Sequence, residues 1–357
     1  TLMEQWCAGL QAEEVERALQ GLINTSPLVR GATLSALPHV PALANGSVAQ
    51  DASIASLLLL AKHDSNQENA EIALQVLELY GHDIGEDTTP CILEYLADRH
   101  ENVRVSASAA LAEVVELHPT HLQGTLTQIF TAYITASKNV QHREGLALGL
   151  GALGPMLTER ELPVVTTFLT TRAFADPDEA VRKKMVEAGV RLVDEQGKEH
   201  VGVLLPIFEN FLDKKGTEGE QYDVVREGVV VLLGSIAKHL EAGDQKVSEV
   251  VNLLLEVLST PSENVQRSVS ACLTPLMSSV KEQTADIIQR LLTIIMQSES
   301  YASRRGAAFG LAGCVKGIGI SAFRQHNILA TLKEGVEDKK NPLAREGTLY
   351  AIAALSE

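Results

Sequence analysis

Three patterns in this sequence carry residue types that could do chemistry. Gly149-Leu-Gly151-Ala-Leu-Gly154 has the G-x-G-x-x-G spacing with which a dinucleotide-binding turn lays its backbone against a pyrophosphate. That chemistry needs a strand before the first glycine and a phosphate at the opening of the following helix. Here the run follows Arg143-Glu-Gly-Leu-Ala-Leu, so the glycines fall well inside an apolar helical pattern and read as points of tight helix packing. His118-Pro-Thr-His121 spaces two imidazoles three residues apart, but Pro119 ends the helix between them. No third histidine or carboxylate joins them, so the pair reads as a solvated loop. No Ser, Cys or Lys nucleophile stands beside a base and an orienting group. These patterns speak against an enzyme, a cofactor, a bound metal or a small-molecule substrate.

The third pattern is arginine, and its chemistry is structural. Arg-x-Gly recurs as Arg143-Glu-Gly145, Arg226-Glu-Gly228, Arg304-Arg-Gly306 and Arg345-Glu-Gly347, each opening an apolar helix after a polar turn. Looser copies keep an arginine after a valine at Arg30, Arg104 and Arg182, and after Val-Gln at Arg267. Asp98 precedes Arg104 by six residues and Asp176 precedes Arg182 by six. A carboxylate in the turn and a guanidinium at the head of the next helix can form an Asp–Arg ladder from unit to unit, a bridging task that suits the planar five-donor fork better than a lysine. A glycine one turn into a helix costs roughly 1 kcal/mol relative to alanine. Its return in register predicts close approach of that helix to a neighbour.

The elements that position these residues follow from the period. With Glu71 standing in the slot of the second unit, the slot falls at 30, 71, 104, 143, 182, 226, 267, 304 and 345, at spacings between 33 and 44. That is the ~40–47-residue period of two-helix HEAT or armadillo units. It predicts an all-α solenoid superhelix of about nine repeats, each a helix A, a short turn and a helix B, with helix B lining the concave side. Helices are expected over Ala12–Ile23, Thr88–Ala97, Val103–Leu117, Thr120–Ser137, Gln141–Leu157, Glu179–Asp194, Gln245–Leu258 and Val265–Val280, with an insertion at 213–220 in the sixth unit. Val103, Ala107, Ala110, Leu111, Val114 and Val115 share one side of their helix, which is an amphipathic pattern with a broad apolar face. No period-two run suggests a sheet. Aromatics are only 4% of the 357 residues, as suits many small helix–helix interfaces rather than one thick core. The reading is of one continuous array over 1–357 that is a piece of a longer chain.

Charge and cysteines bound the partners. Net charge is -16, yet residues 1–100 carry 4 Lys+Arg against 14 Asp+Glu while 301–357 carry 8 against 5. Cys7, Cys91, Cys272 and Cys314 are far apart and unpatterned, which points to a reducing compartment rather than a disulfide framework. No apolar run approaches the ~18 residues a membrane span needs. Paired cations at Lys183-Lys184, Lys214-Lys215, Arg304-Arg305 and Lys339-Lys340 lie in or beside the turns. Because turns of a solenoid share one edge, Arg304, Arg305, Lys339 and Lys340 are candidate contacts for the phosphates of an RNA.

The segment Arg304-Arg-Gly-Ala-Ala-Phe-Gly-Leu-Ala-Gly-Cys-Val-Lys-Gly-Ile-Gly319, followed by Glu337-Asp-Lys-Lys-Asn341 and Arg345-Glu-Gly347, resembles the family of giant HEAT-repeat translational activators of the general amino-acid control pathway. Gln141-His-Arg-Glu-Gly145 and the unit spacing agree with it. The resemblance implies a cytoplasmic, ribosome-associated scaffold that detects stalled or collided ribosomes and helps to activate the starvation-response kinase acting on initiation factor two. It implies that residues 300–357 open the part similar to fungal elongation factor three, where the ribosome and an ABC-type ATPase partner are engaged, and that the kinase docks elsewhere in the longer protein. The rival reading is a generic protein–protein HEAT scaffold of the nuclear-transport-receptor or phosphatase-assembly type, whose acidic N-terminal half would suit basic cargo.

Overall fold

The computed structural model describes residues 7, 10, 12–40, 43, 52–80, 84–85, 87–136, 138–212, 220–240 and 244–356. Among them every regular element is helical and no strand occurs. In order the helices are α1 (Ala12–Leu19), α2 (Pro27–Ala36), α3 (Ala52–Lys62), α4 (Gln67–Tyr80), α5 (Thr88–Tyr95), α6 (Glu101–Leu117), α7 (Leu122–Thr135), α8 (Val140–Ala152) and α9 (Leu162–Thr171). Then follow α10 (Glu179–Leu212), α11 (Glu220–Ala237), α12 (Gln245–Val257), α13 (Glu263–Leu276), α14 (Thr284–Gln297), α15 (Tyr301–Ile318), α16 (Ala322–Gln325), α17 (Ile328–Glu337) and α18 (Pro342–Ser356). Short 3-10 turns extend several of them, as at Gln20–Ile23 and Pro119–His121. The fold is the all-α HEAT type that the period predicts.

The chain divides into two compact units. Unit one holds residues 1–158 with Asp178–Ala188, and unit two holds Glu159–Pro177 with 189–357. In unit one α3 packs on its partner α4 and on α5, the first helix of the next repeat, while α2 packs on α4 and α6 on α8. First helices thus stack on first helices and second on second. In unit two the second helices α11, α13, α15 and α18 follow one another in the same way.

Local sequence explains the ends. Pro27 at the first position of α2 has no N–H to lose there. The side chains of Asn139, Ser262 and Ser300 accept hydrogen bonds from backbone N–H groups in the first turns of α8, α13 and α15. Along α6, Val103, Ala107, Ala110, Leu111, Val114 and Val115 are all buried, the face that the spacing predicts. One boundary differs from expectation. The helix from Glu179 does not stop near Asp194 but runs to Leu212, with a single non-helical residue at His200 (φ -119°, ψ 24°). The helix end expected near Asp194 is replaced by that break. Lys214, Lys215 and most of the 213–220 insertion lie outside the described residues.

Candidate functional site

The recurrent arginine builds a repeated site at the turn between paired helices. At five of these arginines Nη1 turns back and donates to the last carbonyls of the turn. Arg30 reaches the oxygens of Asn24 and Thr25 at 2.8 and 3.0 Å. Arg104 reaches Asp98 and Arg99 at 2.9 and 3.2 Å, and Arg304 reaches Ser298 and Glu299, both at 2.9 Å. Arg143 and Arg345 make the same return to Ala136 (3.2 Å) and Asp338 (2.7 Å). These carbonyls close helix A and have no partner within it. The guanidinium satisfies them in a region with little water, since Arg30, Arg104, Arg143 and Arg304 are all buried.

The other arm of the fork reaches the next repeat. Arg104 Nη2 lies 2.9 Å from Glu144, Arg304 Nη2 bonds Glu346, and Arg30 meets both oxygens of Asp64 at 2.6 Å. A ladder therefore exists within each unit, but its acid differs from the expected one. Asp98 meets Arg104 only through its backbone oxygen. Its carboxylate accepts the N–H of His100 at 2.7 Å and sits 3.0 Å from that ring. The carboxylate facing Arg104 is the middle residue of the next Arg-Glu-Gly, and at Arg30 it is an aspartate of the following turn. Asp176 is buried at the end of a 3-10 turn in unit two, whereas Arg182 is half-buried in the first turn of α10, in unit one.

The glycine has the packing role that its register suggests. A Cβ on Gly145 would land on the carbonyl oxygen of Leu96, one on Gly306 on that of Leu258, and one on Gly347 on that of Ile295. Each of those carbonyls ends helix A of the preceding repeat. The missing Cβ also clears the stems of Arg104 and Arg304, whose Cδ atoms lie 3.0 and 3.3 Å from where the Cβ of Gly145 and Gly347 would be. Gly228 faces the ring of Phe174 instead. Within the G-x-G-x-x-G run, Gly149, Gly151 and Gly154 are buried, and a Cβ on Gly149 would press on Leu96; the run is a helix-packing surface. His118 is tied to the oxygen of Ile84 at 2.7 Å. No group of three His, Cys, Asp or Glu that could hold a metal occurs among the described residues.

One slot is filled by a residue that the arginine pattern misses. In the seventh repeat Arg267 points outward, bonded to Glu263 at 2.9 Å with its guanidinium 4.6 Å from the centre of the Phe309 ring. The buried slot belongs to Gln266, whose Nε2 donates to the oxygens of Leu258, Thr260 and Ala302 at 3.0, 2.7 and 2.8 Å. Its Oε1 accepts from Arg305 Nε at 2.8 Å. The only signal available was the valine before it, Val265, which matches the valines before Arg30 and Arg104.

These contacts revise the cationic edge. Arg304 is 3% exposed in its side chain, with Nη1 on the turn carbonyls and Nη2 on Glu346, so it offers nothing to a partner. Arg305 is 12% exposed; it donates to the oxygen of Pro261, lies 3.5 Å from Glu263 and sits over Tyr301. Lys339 and Lys340 are exposed, and among the described residues neither side chain has a partner. Their turn is held by Asp338, which accepts from the N–H groups of Lys340 and Asn341, and by Asn341, which caps Ala344. Of the other pairs, Lys183 is exposed, while Lys184 lies 3.3 Å from Glu101 and 3.7 Å from Glu187.

Comparison with known proteins places this geometry. A family model described as "Stalled ribosome sensor GCN1, HEAT repeats" matches residues 45–238. The chain is 43% identical over 363 residues to Protein ILITYHIA of Arabidopsis thaliana, a match covering 99% of this chain and 13% of that protein. It is 33% identical over 371 residues to the stalled ribosome sensor GCN1 of Homo sapiens, covering 98% and 14%. It is 31% identical over 368 residues to the eIF-2-alpha kinase activator GCN1 of Dictyostelium discoideum, again covering 98% and 14%. The chain thus spans at most 14% of the length of these relatives. Among solved structures, Kap121p bound to Ste12p matches with a TM-score of 0.51 at 15% identity, over 97% of this chain and 38% of that one; the likeness is one of fold.

Proposed function

The chain belongs to the HEAT-repeat family of the stalled ribosome sensor GCN1, and on that premise we propose that it is one continuous stretch of a ribosome-associated scaffold in the cytoplasm. Its role in translational control is to hold a long protein on stalled or collided ribosomes, where other parts of that protein activate the starvation-response kinase. In this reading residues 300–357 open the part similar to fungal elongation factor three and lie nearest the ribosome and an ABC-type ATPase partner.

The observation that supports the ribosome contact is the exposed pair Lys339-Lys340, without side-chain partners among the described residues, at the edge of the most basic segment. Two mobile ammonium groups on a fixed turn suit phosphate oxygens and imply no base reading. Neutralised phosphates release counterions, so such binding weakens as salt rises. Lys339→Glu with Lys340→Glu, placed in the full-length protein, is expected to lower co-sedimentation with ribosomes and to flatten its salt dependence. The helical spectrum and melting temperature should not change, because neither side chain is packed. Wild-type co-sedimentation across a salt series would move the contact to another surface.

A further inference from the structure

In unit two a groove of about 700 Å3 opens along the second helices α13, α15 and α18. Phe309, Ala312 and Val315 recur along α15 at three-residue spacing, and Ile320, Phe323 and Leu355 complete an apolar lining. Ile320 is 85% exposed, an unusual position for a large aliphatic side chain on a surface that already has an apolar floor. Cations stand at both ends. Arg267 lies over Phe309, and Lys316, about 10 Å further along α15 at 1.5 Å per residue, is exposed with no partner among the described residues.

Among the described residues no acidic one lines this groove. Residues 264–281, 301–333 and 347–356, which supply the segments around it, contain no Asp or Glu, although the chain carries 46. At that density the 61 residues of these segments would hold about eight by even spread (46/357 × 61), so their absence marks a positive field on an acidic protein. Glu263, which lines the adjoining hollow with Arg267 and Phe309, is taken up by Arg267 at 2.9 Å and Arg305 at 3.5 Å.

We propose that this groove docks an acidic amphipathic helix of a protein partner, its apolar side chains at three- and four-residue spacing over Ala312, Val315 and Ile320 and its carboxylates facing Lys316. Helix-in-groove recognition needs this combination of an apolar floor and a charged rim. Single-stranded RNA fits less well, because stacking needs open ring faces. Phe309 is covered by Arg267, and Tyr301 and Tyr350 meet edge to face with their hydroxyls 2.9 Å apart. The groove is separate from Lys339 and Lys340, so this proposal stands or falls apart from the ribosome reading.

The test is selection of random peptides of about 16 residues, some four helical turns, from a phage library against the whole chain, with Ile320→Asp and Lys316→Glu as comparison proteins. Ile320 lies outside α15 and is open to solvent, so its substitution leaves the fold intact, as an unchanged melting curve will verify. Enriched peptides are expected to pair Asp or Glu with an apolar heptad-like face and to bind each variant about tenfold or more weakly. Lysine-rich or charge-neutral winners, equal binding to the variants, or no enrichment at all would overturn the proposal. So would a short oligouridylate that binds the chain through Lys316 and displaces the peptides.

Discussion

Arg104 and Glu144, forty residues apart in the chain, meet at 2.9 Å across the second helices of adjacent repeats. The same guanidinium closes its own repeat through the carbonyls of Asp98 and Arg99. One side chain therefore couples closure within a repeat to registration between repeats, which explains why its spacing matches the repeat length. A solenoid stabilised by nearest-neighbour interfaces gains most from a residue that acts on both.

Arg104→Ala is expected to destabilise the chain by roughly 1–3 kcal/mol, because it strands two carbonyls and a half-buried carboxylate. A double-mutant cycle with Glu144→Gln, read from urea midpoints, should show coupling of about 0.5–2 kcal/mol. The cycle with Asp98→Asn should be additive to within about 0.5 kcal/mol, since the Asp98 carboxylate serves His100. Coupling to Asp98 and none to Glu144 would reverse this assignment.

Gly145→Ala and Gly306→Ala should each destabilise, although alanine gains about 1 kcal/mol in helix propensity. The added methyl meets a backbone carbonyl, which cannot rotate aside, and overpacking of this kind costs roughly 1–3 kcal/mol. Gly124 in α7 has nothing within 4 Å of its missing Cβ, so Gly124→Ala should stabilise by about 0.5–1 kcal/mol. Thermal melts of the three variants decide between packing and mere tolerance of glycine.

The repeat, its helix pairs and the arginine slot are legible in the sequence because they recur: one environment asks for the same residue in repeat after repeat. What recurs once is not. Gln266 fills the slot with an amide, and the adjacent Arg267 imitates the pattern from an exposed position. At Arg104 the acid of the ladder is Glu144 rather than Asp98 for a geometric reason. A carboxylate six residues before the arginine is close in sequence, but the long side chain turns its other arm outward to the neighbouring repeat, and the turn aspartate caps its own loop. The same burial removes Arg304 from the candidate contact surface, while Lys339 and Lys340 stay exposed because no carbonyl cluster draws them in. The break at His200 is flanked by Gly197 and Gly202 and followed by Pro206, residues that weaken a helix, but nothing in the sequence shows that the helix resumes directly after a single residue.

Acid should loosen unit one through Asp64. Burial pushes this carboxyl up, but hydrogen bonds from Arg30, the backbone of Asn66 and Asn69, with the charge of Arg30, hold it below its ordinary value of 3.8. A depressed folded value means that its stabilisation is present above 3.8 and disappears as pH falls through the lower folded value. Asp64→Asn should cost roughly 1–3 kcal/mol near neutrality. The gap between variant and wild-type urea midpoints should narrow as pH drops below 3.8, and a gap that widens toward acid would contradict the pairing.

The ladder changes chemistry at Gln266 and Arg305 together. Where the slot holds Arg104 or Arg304, the middle residue of the next Arg-x-Gly is Glu144 or Glu346; where it holds Gln266, that residue is Arg305. Gln266→Arg alone would keep a donor for the carbonyls of Leu258 and Thr260 but set two guanidiniums against each other in a buried space. It is expected to cost roughly 2–4 kcal/mol. Arg305→Glu alone would leave Gln266 with a carboxylate and put a second acid beside Glu263, which faces Arg305 at 3.5 Å. Made together, the two substitutions rebuild the Arg–Glu rung of the other repeats. The double variant should therefore be more stable than the sum of the single losses predicts by about 1–2 kcal/mol. The rescue will not be complete, because Arg305 also bonds the oxygen of Pro261 and rests on Tyr301. Strict additivity in urea denaturation would mean that the two positions are chosen independently and that the ladder is not one repeated device.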